Sequence, residues 1–293
     1  MTVWDSVAST IRDATHHPFT LNKYVTISGG SINQAYRLEG TDGTCYFLKL
    51  NDARHLPMFV AEAEGLEAIA ATGTVRVPGI IAHGTSGRQS YLVLEHLELS
   101  SRGNAKLLGE QLAALHRCEG KNFGFAHDNF LGTTSQPNGW KNDWIDFWRE
   151  HRLGFQLRLA EENGYGGSLQ HLGEKLLESL PVFFTHYTPQ ASLLHGDLWS
   201  GNHAFFTDGT PTIFDPAAYY GDRECDIAMT ELFGGYSEDF YTAYRTAYPL
   251  DTGYTTRKQL YNLYHILNHA NLFGGGYANQ AEGLMRNLLA AAG

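Results

Sequence analysis

Cysteine is scarce in this chain, with three in 293 residues: Cys45, Cys118 and Cys225. So spaced, they form neither a disulfide framework nor a paired-cysteine metal site, which suits a reducing compartment. Basic residues are in short supply too. Lys and Arg number 21 against 31 Asp and Glu, a formal net charge of −10. Binding a nucleic-acid backbone needs clustered cations, so the balance argues against a nucleic-acid partner and against an anionic membrane surface. No run approaches the ~20 apolar residues that span a bilayer. The first thirty residues hold no apolar core of a secretion signal. A cytoplasmic protein is the expectation. Internal repeats and low-complexity tracts are also missing. What is present is an apolar content of 43% over a length that allows two lobes and a sizeable core.

The densest signal is Leu194-His195-Gly196-Asp197-Leu198-Trp199-Ser200-Gly201-Asn202, followed by Ile213-Phe214-Asp215-Pro216. A His-x-Asp, an Asn five residues after the Asp and a second Asp thirteen further on have the layout of a kinase catalytic loop and its metal-binding acid. Phosphoryl transfer needs those parts. One carboxylate, Asp197, takes the proton of the attacking hydroxyl. An amide oxygen, Asn202, and a second carboxylate, Asp215, hold Mg²⁺ on the phosphates of ATP. The bland alternative is a common turn followed by a helix cap.

Upstream residues supply the rest in order. Residues 23–27 and 35–38 read as a hairpin whose turn carries Gly29, Gly30 and Ser31, where backbone N–H groups can approach phosphate oxygens. There is no Walker A motif, and the turn departs from the protein-kinase glycine pattern. In the strand Cys45-Tyr46-Phe47-Leu48-Lys49-Leu50, Lys49 is a cation inside an apolar run. It is either an edge-strand guard or the lysine that holds the α/β-phosphates. In the helix over 58–69, Phe59, Leu66 and Ile69 share a stripe that includes Glu62, the chosen partner of Lys49. Glu64 lies about 200° round the helix from it. Residues 75–78 and 91–97 complete the small sheet. The second ends at a polar switch, where the backbone of Glu95, His96 and Leu97 is placed to meet an adenine edge.

A polar boundary at 98–104 separates the lobes. Leu108, Leu112 and Leu115 follow at helical spacing, and residues 120–142 read as loop. Trp144, Trp148, Phe155 and Leu159 fall on one helical stripe, ended by Gly164. Leu260, Leu263, Tyr264 and Leu267 mark another helix. His265 and His269 have zinc-ligand spacing but no third ligand, and they are read as structural or as lining the acceptor site. Asp226 is expected to accept hydrogen bonds from the catalytic-loop backbone, and His195 to brace that loop.

With these pieces assembled, the chain resembles the fructosamine (ketosamine-3-) kinase family, a branch of the aminoglycoside-phosphotransferase-like kinases. The resemblance covers nearly the whole chain. It is carried by Gly29-Gly30-Ser31-Ile32-Asn33, Met58-Phe59 with Glu62, and Leu131-Gly132-Thr133-Thr134-Ser135-Gln136-Pro137-Asn138. It continues through Trp144 with residues 147–153, the loop at 195–202, Asp215-Pro216-Ala217 and Gly221-Asp222-Arg223-Glu224-Cys225-Asp226. The Gln-Pro-Asn segment, Trp199 and the Gly-Asp-Arg-Glu run point to the fructosamine branch.

The resemblance implies an α+β, bilobal, protein-kinase-like fold. Residues 1–97 would form an N-lobe of antiparallel sheet plus helix, and 98–293 a mainly α-helical C-lobe. It implies ATP-dependent phosphorylation of the 3-hydroxyl of small-molecule ketosamines or glycated protein lysines by a monomeric repair enzyme, since the product sheds its sugar. The site set is then Asp197, Lys49 and Glu62 for catalysis, with Gly29, Gly30, Ser31, Lys49, Glu95, His96 and Leu97 for the nucleotide. Asn202 and Asp215 take the metal, and Trp199 with Asp197 the acceptor. Trp199 can offer an indole face to a sugar or an ammonium, or can prop the loop from the core. Two other functions stay open: a kinase for an aminoglycoside or choline-like alcohol, and a nucleotide-binding pseudokinase.

Overall fold

The computed structural model describes residues 2–28 and 32–293. Gly29, Gly30 and Ser31, the expected phosphate-binding turn, lie outside the described residues. The chain forms two compact units. It begins with α1 (Val3–Thr15), β1 (Leu21–Ile27), β2 (Gln34–Gly40), β3 (Cys45–Asp52), α2 (Leu56–Ala71), β4 (Ile80–Ser86), β5 (Gln89–Glu95) and β6 (Leu99–Ser100). From Ala105 it builds the second unit with α3 (Ala105–Leu115), β7 (Asn129–Leu131), β8 (Thr134–Gln136), α4 (Trp144–Phe147), a π-helical turn (Trp148–Leu153), α5 (Gly154–Glu162), α6 (Ser168–Ser179) and β9 (Ser192–Leu194). The stretch Ala204–Asp215, with β10 (His203–Phe206) and β11 (Pro211–Ile213), belongs to the first unit. The second then resumes with β12 (Tyr219–Gly221), α7 (Glu224–Leu232), α8 (Glu238–Ala247), α9 (Tyr254–Phe273) and α10 (Tyr277–Ala292).

The first unit is an antiparallel sheet in the order β1-β2-β3-β5-β4. Alternation along β3 sets its chemistry. Leu48 and Leu50 join Val7, Ala8 and Ile11 of α1 in one core, so Lys49 must point to the opposite face. That face is covered by α2, which buries Phe59, Leu66 and Ile69, each stabilising by roughly 1.5–3 kcal/mol. Helix α1 starts at a capping box, in which Thr2 Oγ1 accepts from the Asp5 N–H and Asp5 from the Thr2 N–H. The expected strand at 75–78 is not part of this sheet. Pro78 has no N–H to give, the paired strand is β4, and Arg76 makes only an isolated bridge to Thr212.

The second unit is mostly helical. Its core gathers Trp144, Phe147, Trp148, Leu153, Leu157 and Leu176 with Leu260, Leu263 and Leu267 of α9. Leu108, Leu112 and Leu115 are buried on α3 as their spacing requires. Residues 120–142 are not all loop, since they contain the β7–β8 hairpin. The aromatic stripe also needs correction. Trp144 and Trp148 are buried, but Phe155 and Leu159 are only partly so, and Leu153, Leu157 and Ala160 take the core positions. The π-turn inserts one residue and rotates everything after it. Gly154 closes that turn, donating its N–H to the Arg149 carbonyl, and a Cβ there would lie 2.3 Å from that oxygen.

Candidate active site

In the first unit Lys49 is the centre of the charged site. It is 5% exposed and sits on a central strand, so the edge-guard alternative is gone. Its Nζ lies 2.7 Å from Glu62 Oε1 and 2.6 Å from Asp215 Oδ1. Burial opposes the charge on Lys49, but the two carboxylates outweigh it and hold its pKa above the usual lysine value. Glu62 is pushed up to about 7, because burial and the nearby Asp215 charge outweigh its pairing with Lys49. Asp215 has a 45% exposed side chain and a left-handed backbone, φ +58°. A non-glycine residue there is strained, and such strain concentrates where a side chain must be aimed.

Strand β5 stops at Glu95. The Glu95 N–H donates to the Gly79 carbonyl at 2.8 Å, and its carboxylate accepts from the Gly79 N–H at 3.0 Å and pairs with Arg76. So Glu95 has its carbonyl, not its amide, to offer a ligand, and His96 and Leu97 follow beyond the strand. Arg76 in turn accepts from the Ile213 N–H at 3.0 Å and the Thr212 hydroxyl at 3.0 Å through its carbonyl, bracing β11 just before Asp215.

In the second unit the catalytic-loop candidate leaves β9, which pairs antiparallel with β12. Gly196 has φ +84°, and a Cβ on it would sit 2.1 Å from the Ala217 carbonyl oxygen, so only glycine fits. Asp226, 1% exposed, accepts from the His195 N–H at 2.7 Å and the Gly196 N–H at 2.8 Å, as expected from the sequence. Burial works against its charge. Hydrogen bonding and charge from His116, with His195 and the Gly196 amide, nonetheless hold its pKa below the usual carboxylate value. His195 braces the loop, its Nδ1 accepting from the Asp197 N–H at 3.2 Å.

Asn202, 5% exposed, donates Nδ2 to the Asp197 carbonyl at 2.8 Å. That bond assigns the amide so that its oxygen is the atom left for a cation. Trp199 is 40% exposed, with its carbonyl accepting from the Tyr236 hydroxyl at 3.1 Å, and so is not a core tryptophan.

Among the described residues, no group of three or more His, Cys, Asp or Glu could hold a metal. Asn202 and Asp215 are hard oxygen donors, one neutral and one anionic. Taken residue by residue, each has the hard-donor chemistry that Mg²⁺ accepts, an ion that takes one or two protein ligands and keeps phosphate and water for the rest. His269 bonds the His265 carbonyl through Nδ1 at 2.8 Å.

Several residues escape a reading of sequence. His116 ends the Leu108–Leu112–Leu115 stripe and bridges Asp226, at 3.1 Å, to the Tyr244 hydroxyl, at 2.8 Å. Its place four residues after Leu112 is the signal that could have found it. Arg152, fully buried, donates to the Pro137 carbonyl at 2.6 Å and Asn138 Oδ1 at 2.8 Å and stacks on Tyr219 at 4.0 Å. The Gln136-Pro137-Asn138 segment is therefore internal scaffolding.

Among the described residues no helix is long and apolar enough to cross a membrane. An antiparallel sheet with a helix-held lysine and a mainly helical unit with an Asp-and-Asn loop are the two parts of a protein-kinase-like phosphotransferase. The chain is an ATP-dependent enzyme that phosphorylates a hydroxyl. The family model described as fructosamine kinase matches residues 3–291, and the chain belongs to that family. It is similar to a probable ketoamine kinase of Synechocystis, 49% identical over 291 residues that cover 98% of this chain and 97% of the relative. It is also similar to a chloroplastic protein-ribulosamine 3-kinase of Arabidopsis thaliana, 41% identical over 275 residues, 92% of this chain and 83% of that one. The crystal structure of a putative fructosamine-3-kinase from Haemophilus somnus superposes with a TM-score of 0.89 at 30% identity, covering 97% of each chain.

Proposed function

We propose that this chain transfers the γ-phosphoryl group of Mg-ATP to the 3-hydroxyl of ketosamines, free or on glycated protein lysines, as a monomeric repair enzyme of the cytoplasm. In the product, loss of a C1 proton to give the C1=C2 enol lets the C3–O bond break and phosphate leave, and water then hydrolyses the resulting C1 imine to the free amine and a 3-deoxy dicarbonyl sugar. The observation that carries this reading is the match of the fructosamine kinase family over residues 3–291, and it is supported by the presence in the sequence of Lys49, Glu62, Asp197, Asn202 and Asp215.

Asp197 orients the acceptor hydroxyl and takes its proton late, so it need not be a strong base. Lys49, held by Glu62, neutralises the phosphate chain. The Glu95 carbonyl and the Leu97 N–H, where the chain leaves β5, supply the acceptor and donor that an adenine edge requires. Gly29, Gly30 and Ser31 are assigned to the phosphates on sequence grounds. Asn202 and Asp215 are the metal-binding oxygens. Bound Mg²⁺ would neutralise charge on the β- and γ-phosphates. Trp199 offers an exposed indole face to the C–H surface of the sugar.

ATP consumption with Mg²⁺ tests the reading across ribulose-lysine, fructose-lysine, a glycated peptide, kanamycin and choline. The expected result is turnover on the ketosamines with phosphate on the 3-hydroxyl. Asp197→Asn should lower kcat by about 10³-fold with ATP affinity little changed. Turnover on kanamycin or choline alone would overturn the substrate. Undiminished kcat in Asp197→Asn would overturn the base.

A further inference from the structure

Gln136 is completely buried, and both ends of its amide are engaged. Nε2 donates to Asn129 Oδ1 at 2.8 Å and to the Ala217 carbonyl at 3.1 Å, while Oε1 accepts from the Tyr264 hydroxyl at 2.7 Å. Asn129, 3% exposed, donates its own Nδ2 to the Ala218 carbonyl at 2.8 Å. Two side-chain amides, at the ends of β7 and β8 that pair with each other, thus grip two consecutive backbone carbonyls.

The gripped segment is the neighbour of the catalytic loop. The Ala217 N–H donates to the His195 carbonyl at 2.9 Å, and the Ala217 oxygen that Gln136 holds is the one that leaves no room for a Cβ on Gly196. The hairpin is itself anchored by Arg152, through Pro137 and Asn138, and by Tyr264 of α9. Buried amides that satisfy several partners at once fix a geometry, because any slip leaves polar atoms unpaired in a dry interior.

We propose that Asn129 and Gln136 form a positioning clamp for the catalytic loop, holding the Ala217–Ala218 backbone so that His195 and Gly196 set the place of Asp197. The clamp rests on the reading of Asp197 as the base. It acts through backbone and touches no substrate. It also gives a physical reason for the glutamine in the Gln-Pro-Asn segment, since no other residue type supplies donor and acceptor at that reach.

The test is steady-state kinetics of Gln136→Met, which keeps side-chain length and removes the amide, with folded fraction and Tm measured on the same sample. The expected result is a kcat lowered about 10- to 100-fold, the size of effect a loop displaced by an ångström produces, with the KM for ATP within about twofold of the parent. Tyr187→Phe removes one partly buried hydrogen bond to Asp222 in the same unit. It should lower Tm while leaving kcat per folded molecule unchanged. Should Gln136→Met fail to fold, the milder Asn129→Ala decides, with an expected kcat loss of about three- to tenfold.

A folded variant with parental kcat overturns the clamp, as does a loss fully accounted for by unfolded enzyme. Asp197→Asn is run beside them. Full turnover in it sinks the base assignment, whereas an inactive Asp197→Asn with a fully active Gln136→Met sinks the clamp alone.

Discussion

Lys49 is held by two carboxylates with different duties. Asp215 is half exposed and is the acid proposed to meet the metal, so Glu62, with an 11% exposed side chain, is the partner we propose Lys49 keeps when nucleotide binds. A hydrogen bond to a charged group is worth about 1.5–3 kcal/mol. Glu62→Gln keeps the shape and removes the charge, so the KM for ATP should rise roughly tenfold while the fold survives. Glu64→Gln should leave ATP dependence unchanged. Initial rates against ATP concentration separate the two, and an unaltered KM in Glu62→Gln would break the assignment. The Lys49–Glu62 pair is legible in sequence because period-two and 3.6-residue geometry each pick a face, and a buried cation needs an anion on the facing element. The left-handed backbone of Asp215 is not legible, because nothing in Phe214-Asp215-Pro216 distinguishes it from an extended turn.

At the scale of elements, the π-turn between α4 and α5 is the feature that decides side-chain placement. The sequence pattern continues an ordinary helix through it, and that reading puts Phe155 and Leu159 in the core. A single extra residue hands those places to Leu157 and Ala160 and directs Arg152 at the β7–β8 hairpin. No local propensity announces such an insertion, since its reward is tertiary: the bonds Arg152 makes to Pro137 and Asn138. Gly154 offers a sharp test. It has helical angles, φ −65° and ψ −36°, where replacing glycine by alanine ordinarily stabilises by about 0.5–1 kcal/mol. Here the added Cβ meets the Arg149 carbonyl, so Gly154→Ala should instead destabilise, by about 1–3 kcal/mol as overpacking does. Urea unfolding gives the sign directly, and a stabilised variant would mean that the turn relaxes to an ordinary α-helix without penalty.

For the whole molecule, stability should depend on pH through a histidine that lies in the core. His265 is 5% exposed, and its Nδ1 is buried without a hydrogen-bond partner. Burial, with His269 and Arg152 nearby, lowers its pKa from the usual 6.5 to about 3, and the opposing charge of Asp226 does not reverse this. The unfolded chain therefore binds a proton that the folded chain refuses. Its contribution to stability is fully present above pH 6.5 and is lost as pH falls from there toward 3, at up to about 1.4 kcal/mol per pH unit. His265→Gln, which cannot titrate, should unfold with a shallower dependence on pH between 6.5 and 4, even if it is less stable at pH 7. Other groups share the window, among them Glu62 and Glu224, both raised to about 7, and His203, lowered to about 4, so it is the difference in slope between the two proteins that isolates His265. Urea midpoints at pH 7.5, 6.5, 5.5 and 5 for both proteins would measure the difference in slope; parallel curves would show that the imidazole finds a proton-stabilising partner in the folded state.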